Sequence, residues 1–484
     1  MIQRRILRLV VLVPILAMLV SCAGGAALRF EKLANATAGE GYLAAIADIK
    51  KNGKKLYGKT NRLLYYMDIG MLYHYASMYD SSNVYLLKAV DIQNDLFARS
   101  VTNEAASIML NDNVRPYRGR PYELVLLHQI IAFNFLAQGN TEEALVETRQ
   151  TQLLLYELER KDKRGNKYSN DGMFHYISSI SYDAVDQSDD AMISLFHAVK
   201  AFKEGPVPLP GLVKDYACYM LEKNDRAGDL TLLDITADAP QDKVPGLRNG
   251  ETEVVLIGYA GRGPAFVENN WGGTYIKDGL LIMNHKTANG TVETMQMAAP
   301  MLPTKEYEKA AKGQKTASGT TFHVSFSLPA VKELPSLTDH FTVSGAHLTG
   351  SVSTVAINNY DLQAQKNLDD TRTATLARTV VRVVLRTIAA QKAKSKMQTK
   401  SPIANLLINL GTDVLADQLE HADTRSCFLI PKTVQILRIP VQPGSYSFNV
   451  SACDRAGKAI GTKTFGNIRV KQGEKKFIFY CSFR

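Results

Sequence analysis

The chain has 484 residues, of which 45% are hydrophobic and 21% are charged. Its formal net charge is +10 at pH 7, and three of the positive charges lie within the first eight residues. This excess is modest and is not interleaved with aromatic residues, so the sequence predicts no nucleic-acid partner. The length allows about three domains of ordinary size, and the hydrophobic content is that of a globular protein.

The N-terminus has the features of an exported and lipid-modified protein. Three arginines precede an apolar stretch from Leu9 to Val20, which is too short to span a bilayer comfortably. The stretch ends at Leu19-Val20-Ser21-Cys22, which resembles the bacterial lipobox. The alternative is an ordinary signal peptide that contains a cysteine by chance. We expect residues 1–21 to be a lipoprotein signal peptide, Cys22 to carry the acyl chains, and residues 22–29 to be a tether.

The residue after the predicted lipidation site indicates which membrane holds the protein. Ala23 stands there, rather than the aspartate that resembles an inner-membrane retention signal. In a bacterium with two membranes this favours the periplasmic face of the outer membrane, so the acylated Cys22 makes a membrane the first partner. Such a compartment permits disulfides, and Cys453 and Cys481 could pair because both lie on predicted C-terminal strands.

Residues 30–240 are predicted to be helical, because leucine, alanine and tyrosine recur at helical spacing between short polar interruptions. Three helix–turn–helix units are recognisable: Leu63–Ile92, Glu123–Gln152 and Met173–Phe202. Each resembles a degenerate tetratricopeptide repeat. A small residue recurs in the second helix, where two helices must approach closely: Ser82, Ala144 and Ala191. The alternative is a generic bundle with chance matches. The resemblance implies an α-solenoid whose concave groove holds a partner segment.

Tyrosine is unusually dense in the first of these units. Four of the tyrosines are candidate partner-binding residues: Tyr65, Tyr66, Tyr73 and Tyr75. Some of them should be buried packing residues and others could line the groove. The sequence does not distinguish between the two roles.

Residues Gly53–Thr60 match the phosphate-loop pattern GxxxxGK[ST] without a mismatch. That mechanism requires a buried strand before the loop and a helix N-terminus that meets the phosphates. Residues Tyr42–Lys50 instead have the composition of a helix, and Asn52-Gly53 looks like its end. The sequence therefore predicts a basic turn between two helices and no nucleotide site.

Residues 246–484 are predicted to form a mainly antiparallel β domain, which makes the chain α+β. The predicted strands are Val254–Tyr259, Gly279–Asn284, Thr321–Leu328, His340–His347, Ser353–Ile357, Thr433–Ile439, Ser445–Ala452, Lys463–Val470 and Lys476–Phe483. Two amphipathic helices interrupt this pattern within residues 370–420. We expect them to pack as a helical hairpin over the sheet.

The first of these helices carries a row of arginines at four-residue spacing: Arg378, Arg382 and Arg386. The second carries acidic residues on one side: Asp413, Asp417 and Glu420. One interpretation is that the two rows face each other within the hairpin. The other is that the arginines contact anionic lipid or a partner, so they are also candidate partner-binding residues.

Four short segments of the C-terminal half resemble the core motifs of an uncharacterised family of bacterial lipoproteins: Ala377–Arg382, Ala422–Ser426, Leu429–Pro431 and Pro443–Tyr446. That family combines tetratricopeptide-like repeats with a C-terminal β domain. Cys427 stands where the family pattern has tryptophan. The resemblance implies a partner such as a curli-secretion-type lipoprotein or another envelope complex, and it implies no enzymatic activity.

The best polar cluster in the sequence is Asp423, Thr424, Arg425 and Ser426. Arg425 could clamp a carboxylate or phosphate, or it could tie a turn to the sheet by a buried ion pair. The structural role is favoured, because structural ion pairs imitate functional sites. No HExxH or GxSxG motif is present, so we expect no catalytic residue, no metal and no cofactor.

The sequence therefore favours an outer-membrane-anchored periplasmic lipoprotein that acts as a protein-binding scaffold or assembly factor for an envelope or secretion complex. An alternative is a regulator of a cell-wall synthase. A more distant alternative is an envelope hydrolase that uses the Asp423–Ser426 cluster.

Overall fold

The chain folds as an α+β protein, with helices in its N-terminal half and three sheets in its C-terminal half. The computed structural model describes residues 29, 31–35, 37, 39, 41–100, 115–161, 171–235, 252–276, 280–286, 290–298, 321–345, 348–397 and 421–484. The predicted signal peptide, Cys22 and the predicted second helix of the hairpin lie outside these residues.

Residues 31–35 are helical, and eight longer α-helices follow in the helical half: α1 (Tyr42–Tyr57), α2 (Arg62–Tyr75), α3 (Tyr79–Ser100), α4 (Pro121–Gln138), α5 (Thr141–Lys161), α6 (Gly172–Asp183), α7 (Ser188–Glu204) and α8 (Gly211–Lys223). A 3₁₀ helix, Ala227–Leu233, follows. The three predicted helix–turn–helix units are confirmed, because α2 packs on α3, α4 on α5 and α6 on α7.

Small residues let the paired helices approach closely, as the sequence predicted. A Cβ atom added to Gly70 would lie 2.4 Å from the Cδ2 atom of Leu86 on the facing helix. On the same helix, the Ser82 hydroxyl donates a hydrogen bond of 2.8 Å to the Gly70 carbonyl. Ala144 and Ala191 are buried at the corresponding positions. Bulkier side chains at these positions would force the helix pairs apart.

The C-terminal half contains twelve described strands: β1 (Glu253–Arg262), β2 (Ala265–Ile276), β3 (Leu280–Lys286), β4 (Val292–Ala298), β5 (Thr321–Lys332), β6 (His340–Ser344), β7 (Val352–Ser353), β8 (Val355–Asn359), β9 (Pro431–Pro440), β10 (Gly444–Cys453), β11 (Ala459–Val470) and β12 (Lys475–Ser482). The central sheet has the order β12-β1-β9-β8, the second sheet β11-β10-β6-β7 and the third sheet β4-β3-β2-β5. Only β1 and β12 pair in parallel among the described strands.

The central sheet is the middle of three layers. Val255, Ile257 and Tyr259 of β1 pack into the core that the sheet shares with the helices. Their neighbours Val254 and Leu256 pack into a separate core against the second sheet. Because successive side chains of a strand point to opposite faces, one strand contributes to both cores. The helices and the β domain are therefore joined by a common hydrophobic core.

Gly258 shows how closely the second sheet approaches the central one. A Cβ atom at this position would lie 2.4 Å from the Cδ2 atom of Phe341 on β6. The glycine thus makes room for an aromatic ring between the two sheets. Gly258 lies in β1, within the predicted strand Val254–Tyr259.

The predicted first helix of the hairpin is longer than expected. It is α9 (Tyr360–Met397), which begins ten residues before the predicted start at residue 370 and packs against β5, β9 and α4. The Asn359 side chain accepts hydrogen bonds from the backbone amides of Asp361 (3.0 Å) and Leu362 (3.2 Å). This N-cap starts the helix directly at the end of β8.

The possible disulfide between Cys453 and Cys481 does not form, since the described cysteines are free thiols. Cys453 lies opposite His340 in the second sheet, and Cys481 lies opposite Tyr259 in the central sheet. The Cys481 thiol is instead 3.0 Å from the Tyr42 hydroxyl of α1. Both cysteines are on C-terminal strands as predicted, but those strands belong to different sheets.

Candidate functional site

One side of the helical stack is covered by the chain's own central sheet. We call α2, α4 and α6 the inner helices, because all three contact strands of this sheet. Phe133 of α4 packs on Phe479 of β12, with 5.4 Å between ring centroids. The expectation of an open groove that holds a partner segment is therefore wrong for these helices. The surface of the inner helices that was expected to bind a partner is covered by the central sheet of the same chain.

A polar contact lies inside this interface. The buried His74 of α2 is hydrogen-bonded through Nδ1 to the Asn134 Oδ1 atom at 2.6 Å. Its Nε2 atom is 2.9 Å from the Tyr259 hydroxyl of the central sheet. Burial disfavours the charged imidazolium and lowers the pKa of His74 from 6.5 to about 4. The histidine thus links helices and sheet as a neutral group.

A charged network on the same face of the sheet forms a second link, at the other end of β1. The Arg438 guanidinium binds the buried Glu253 carboxylate through two hydrogen bonds of 2.8 and 2.7 Å. The Lys475 ammonium lies 2.8 Å from the Asp183 carboxylate at the end of α6. Although burial acts to raise the pKa of Glu253, the charge of Arg438 holds it below its usual value. These ion pairs fix α6 against the sheet.

Of the four candidate tyrosines, Tyr75 is a core residue. Its hydroxyl donates a hydrogen bond of 2.6 Å to the Leu429 carbonyl, and its ring lies 4.9 Å from that of Phe483. It is only 7% exposed, so it offers no surface to a partner.

The other three tyrosines are half-buried and belong to a chain of aromatic contacts. The ring centroids of Tyr65 and Tyr66 are 5.1 Å apart, and those of Tyr73 and Tyr85 are 5.6 Å apart. The Lys50 ammonium donates a hydrogen bond of 2.9 Å to the Tyr73 hydroxyl and lies 4.9 Å above the Tyr85 ring. This edge of α1, α2 and α3 combines aromatic and cationic groups on one surface.

The Asp423–Ser426 cluster joins the β domain to the helices. It lies in residues 421–430, which we call the connecting segment and which lead into β9. Arg425 binds the Asp423 carboxylate through two hydrogen bonds of 2.8 and 2.6 Å. It also donates to the Arg115 carbonyl at 2.8 Å and to the Asn61 side chain at 3.2 Å. The arginine therefore ties the turn to the helical half, not to the sheet as expected.

The charge of Arg425 also controls its carboxylate partner. Burial acts to raise the pKa of Asp423, but the hydrogen bonds and charge of Arg425 hold it below its usual value. Ser426 is buried, and its carbonyl accepts a hydrogen bond of 2.9 Å from Arg29. Both observations agree with a structural role for this cluster.

Two carboxylates of the helical half are buried next to the connecting segment. Asp68 accepts a hydrogen bond of 2.7 Å from the Tyr57 hydroxyl and lies 4.0 Å from the Arg29 guanidinium. Glu123 accepts a hydrogen bond of 2.9 Å from the backbone amide of Cys427. Burial raises the pKa of both carboxyl groups, although nearby arginines partly offset it.

The arginine row of α9 does not form one exposed face in the described part of the helix. Arg378 is exposed, whereas Arg382 is only 4% exposed. A spacing of four residues advances the helix by slightly more than a turn, and neighbouring elements cover part of the row. The side chain of Arg386 and the acidic residues predicted to face the row lie outside the described residues.

The second helix of each pair forms the outside of the stack, and we call α3, α5 and α7 the outer helices. Each exposes large apolar side chains to solvent: Val84 and Leu87 on α3, Val146, Leu153 and Tyr156 on α5, and Ile193 on α7. Leu153 and Tyr156 are 59% and 62% exposed. Single exposed apolar residues are ordinary, but their recurrence in all three outer helices is a pattern.

The segment that matches the phosphate-loop pattern is a helix end and a turn, as predicted. Residues Gly53–Tyr57 are the last turn of α1, and residues 58–60 connect it to α2. No helix N-terminus faces this segment from within the motif, so its backbone amides cannot cradle a phosphate.

Among the described residues, no group of histidine, cysteine, aspartate and glutamate side chains is arranged to hold a metal ion. None of the described helices combines the length and apolar character needed to cross a bilayer.

The buried charges were not predicted from the sequence. Asp68 lies between Met67 and Ile69, and Glu123 follows Pro121 at the start of α4. The Glu123 side chain accepts a hydrogen bond of 2.8 Å from the Arg120 amide, which is half of a capping box. A carboxylate at the third position of a helix that begins with proline predicts a capping interaction, so the role of Glu123 at the helix start could have been predicted. The burial of its side chain could not have been predicted from the sequence.

Comparisons with known proteins give little guidance. No protein-family model matches the chain, and no curated protein matches it. Among solved structures, the apo form of RapI aligns with a TM-score of 0.32 and 14% identity, over 42% of this chain and 50% of that chain. The chain thus spans about half the length of the RapI chain. A similarity at this level assigns no function.

Proposed function

We propose that the protein is a lipoprotein that Cys22 anchors to the periplasmic face of the outer membrane, where it binds a protein partner of the cell envelope. The anchor is supported by the order of arginines, apolar stretch and Leu19-Val20-Ser21-Cys22 at the N-terminus. The resemblance of its C-terminal segments to a lipoprotein family supports the same compartment.

The binding role depends on one observation, the exposed apolar side chains of the outer helices. The inner helices are closed by the sheet, so a partner must approach the stack from the opposite side. There α5 presents Val146, Leu153 and Tyr156, which lie within about 80° of one another on the helix. An apolar stripe surrounded by charged side chains is typical of a protein-interaction surface.

Photo-crosslinking in living cells tests this proposal. A photoreactive amino acid replaces Leu153 in the full-length chain, and a matched variant carries it at Thr464, an exposed position on β11. We expect a discrete crosslinked partner from position 153 and none from position 464. Equal crosslinking from both positions, or none from either, would contradict the assignment of the surface.

The identity of the crosslinked protein separates the possible roles. A lipoprotein channel subunit would support a scaffold for a secretion or envelope complex. A glycan synthase would support the alternative of cell-wall regulation. The intact mass of the protein isolated from its own cells tests the anchor separately. Acylation of Cys22 adds the mass of the lipids, and an unmodified N-terminus would refute the proposed anchor.

A further inference from the structure

Residues 50–62, which we call the basic segment, carry a run of positive charge that the contacts described so far do not explain. Their sequence contains six lysines and arginines and no aspartate or glutamate: Lys50, Lys51, Lys54, Lys55, Lys59 and Arg62. All six side chains are exposed. The proposed partner surface of the outer helices does not use them.

The basic segment consists of the end of one helix, a turn and the start of the next helix. Lys51, Lys54 and Lys55 project from the last turns of α1, Lys59 from the following turn and Arg62 from the start of α2. The Tyr117 amide donates a hydrogen bond of 2.8 Å to the Thr60 carbonyl, which brings the exposed Arg118 to the same turn. None of Lys54, Lys55, Lys59 and Arg62 forms an ion pair with a described carboxylate.

The basic segment is also close to the point where the chain leaves its proposed anchor. Arg29 is buried in the core, and its guanidinium lies 5.2 Å from the ring centroid of Tyr57, within the basic segment. Six residues lie between Cys22 and Arg29, and the seven steps of a fully extended chain span at most about 25 Å. An acylated Cys22 would therefore hold this part of the protein near the bilayer surface.

We propose that the basic segment lies against the anionic phospholipid headgroups of the membrane that holds Cys22. This inference rests on the proposed lipid anchor. Lysine and arginine side chains within a Debye length of an anionic bilayer are attracted to it. Because the basic residues are spread along a helix end and a turn, they suit an extended charged surface better than a single bound phosphate. The contact would orient the body and direct the outer helices to a partner in a defined way.

Lysine acetylation in the presence of vesicles tests this contact on the full-length, natural protein. The protein is incubated with vesicles of phosphatidylethanolamine and phosphatidylglycerol, or of phosphatidylcholine alone, and lysine labelling is followed by mass spectrometry. Exposed lysines of the second sheet, on the far side of the central sheet from the helices, serve as internal references: Lys458, Lys463 and Lys471. The same spectra report whether Cys22 carries lipid.

We expect anionic vesicles to slow the labelling of Lys54, Lys55 and Lys59 by about fivefold relative to the reference lysines, and high salt to abolish the difference. The double variant Lys54→Gln/Lys55→Gln should lose the protection of Lys59, whereas Lys458→Gln/Lys463→Gln should keep it. Circular dichroism checks that both variants are folded.

Equal labelling of the basic and reference lysines on anionic vesicles, or equal protection on phosphatidylcholine, would overturn the inference. Either result in a sample with lipidated Cys22 would leave the anchor intact. An unmodified Cys22 would instead refute the anchor, while the vesicle comparison would still report on the basic segment.

Discussion

The inner and outer helices are the two members of the same helix–turn–helix pairs but face different surroundings. On α4, an inner helix, all residues from Tyr122 to Asn134 are buried, because the outer helices cover one side and the sheet covers the other. On α5, an outer helix, buried residues such as Leu145 and Leu155 alternate with the exposed Val146 and Leu153. A helix that is apolar all round is a buried helix, whereas an apolar stripe indicates one covered face.

The difference also decides what polar residues cost. His74, Asn134 and Glu123 lie on inner helices, where no bulk water is available, and each has a partner inside the protein. Polar residues on the outer helices can use solvent instead. Changes to the inner helices should therefore destabilise the fold, and changes to the outer helices should affect binding.

The largest expected effect comes from truncating one apolar side chain on an inner helix and one on an outer helix. Phe133→Ala should lower the free energy of unfolding by roughly 3–5 kcal/mol, because it removes a ring that packs on Phe479 and leaves a cavity. Leu153→Ala should change it by less than about 0.5 kcal/mol, because Leu153 is mostly exposed. Urea unfolding measures both. Similar losses of stability in the two variants would contradict the distinction between buried inner helices and exposed outer helices.

The second-largest expected difference between inner and outer helices is in how stability depends on pH. The folded pKa of His74, about 4, lies below the 6.5 of an unburied histidine. The neutral ring therefore contributes stability that is complete above pH 6.5 and is lost as the pH falls towards 4, and the difference corresponds to about 3 kcal/mol.

Urea unfolding at pH 6.5 and pH 4 of the wild type and of His74→Gln tests this effect. The variant should lose less stability than the wild type over this interval. The raised pKa values of Asp68 and Glu123 act in the opposite direction, so the difference between the proteins is the informative quantity. His197→Gln on an outer helix, where the side chain is exposed, is the control and should resemble the wild type more closely.

A smaller effect is expected between the two sheets. Gly258→Ala should cost roughly 1–3 kcal/mol, because the added methyl group would meet the Phe341 ring. Gly466→Ala on β11 adds the same group where the nearest atom is 4.0 Å away. Thermal unfolding should show a lower midpoint for the first variant and no decrease for the second. A neutral Gly258→Ala would show that the sheets can move apart at little cost.

The smallest effect concerns the tyrosines. Tyr75→Phe should cost about 1–2 kcal/mol, because it leaves the buried Leu429 carbonyl without its donor. Tyr73→Phe should be nearly neutral, since its hydrogen bond to Lys50 is exposed to water. Chemical unfolding of both variants measures the difference. A larger cost for Tyr73→Phe would mean that the aromatic edge is structural and not a surface free for binding.

Local sequence patterns predicted much of the fold. The helix pairs followed from apolar periodicity and from Ser82, Ala144 and Ala191, since a small residue at a helix contact is needed wherever the pair packs. The regular β-rich runs correctly predicted strands such as β1 and β12. By contrast, β2 and β4 were not predicted, because β2 contains Asn269-Asn270 and Gly272-Gly273, which have low β propensity. Pairing with β3 on one side and β5 on the other holds β2 extended.

The candidate site residues divide in the same way. The tyrosines Tyr65, Tyr66 and Tyr73 are at a surface, but Tyr75, two residues after Tyr73, is in the core. Helical spacing places two neighbouring residues on different sides, and only the position of the sheet determines which side is covered. The same argument applies to Arg382, whose burial depends on elements that are distant in sequence.

The sequence by itself determined the helix pairs, most of the strands and the helical nature of the segment that imitates a phosphate loop, because each depends on interactions between residues that are near one another in the chain. Only the tertiary structure decided that the central sheet covers one side of the helices, that Arg425 binds the helical half, and that Cys453 and Cys481 lie apart. These outcomes depend on which apolar faces cover each other, and many pairings of faces bury similar areas.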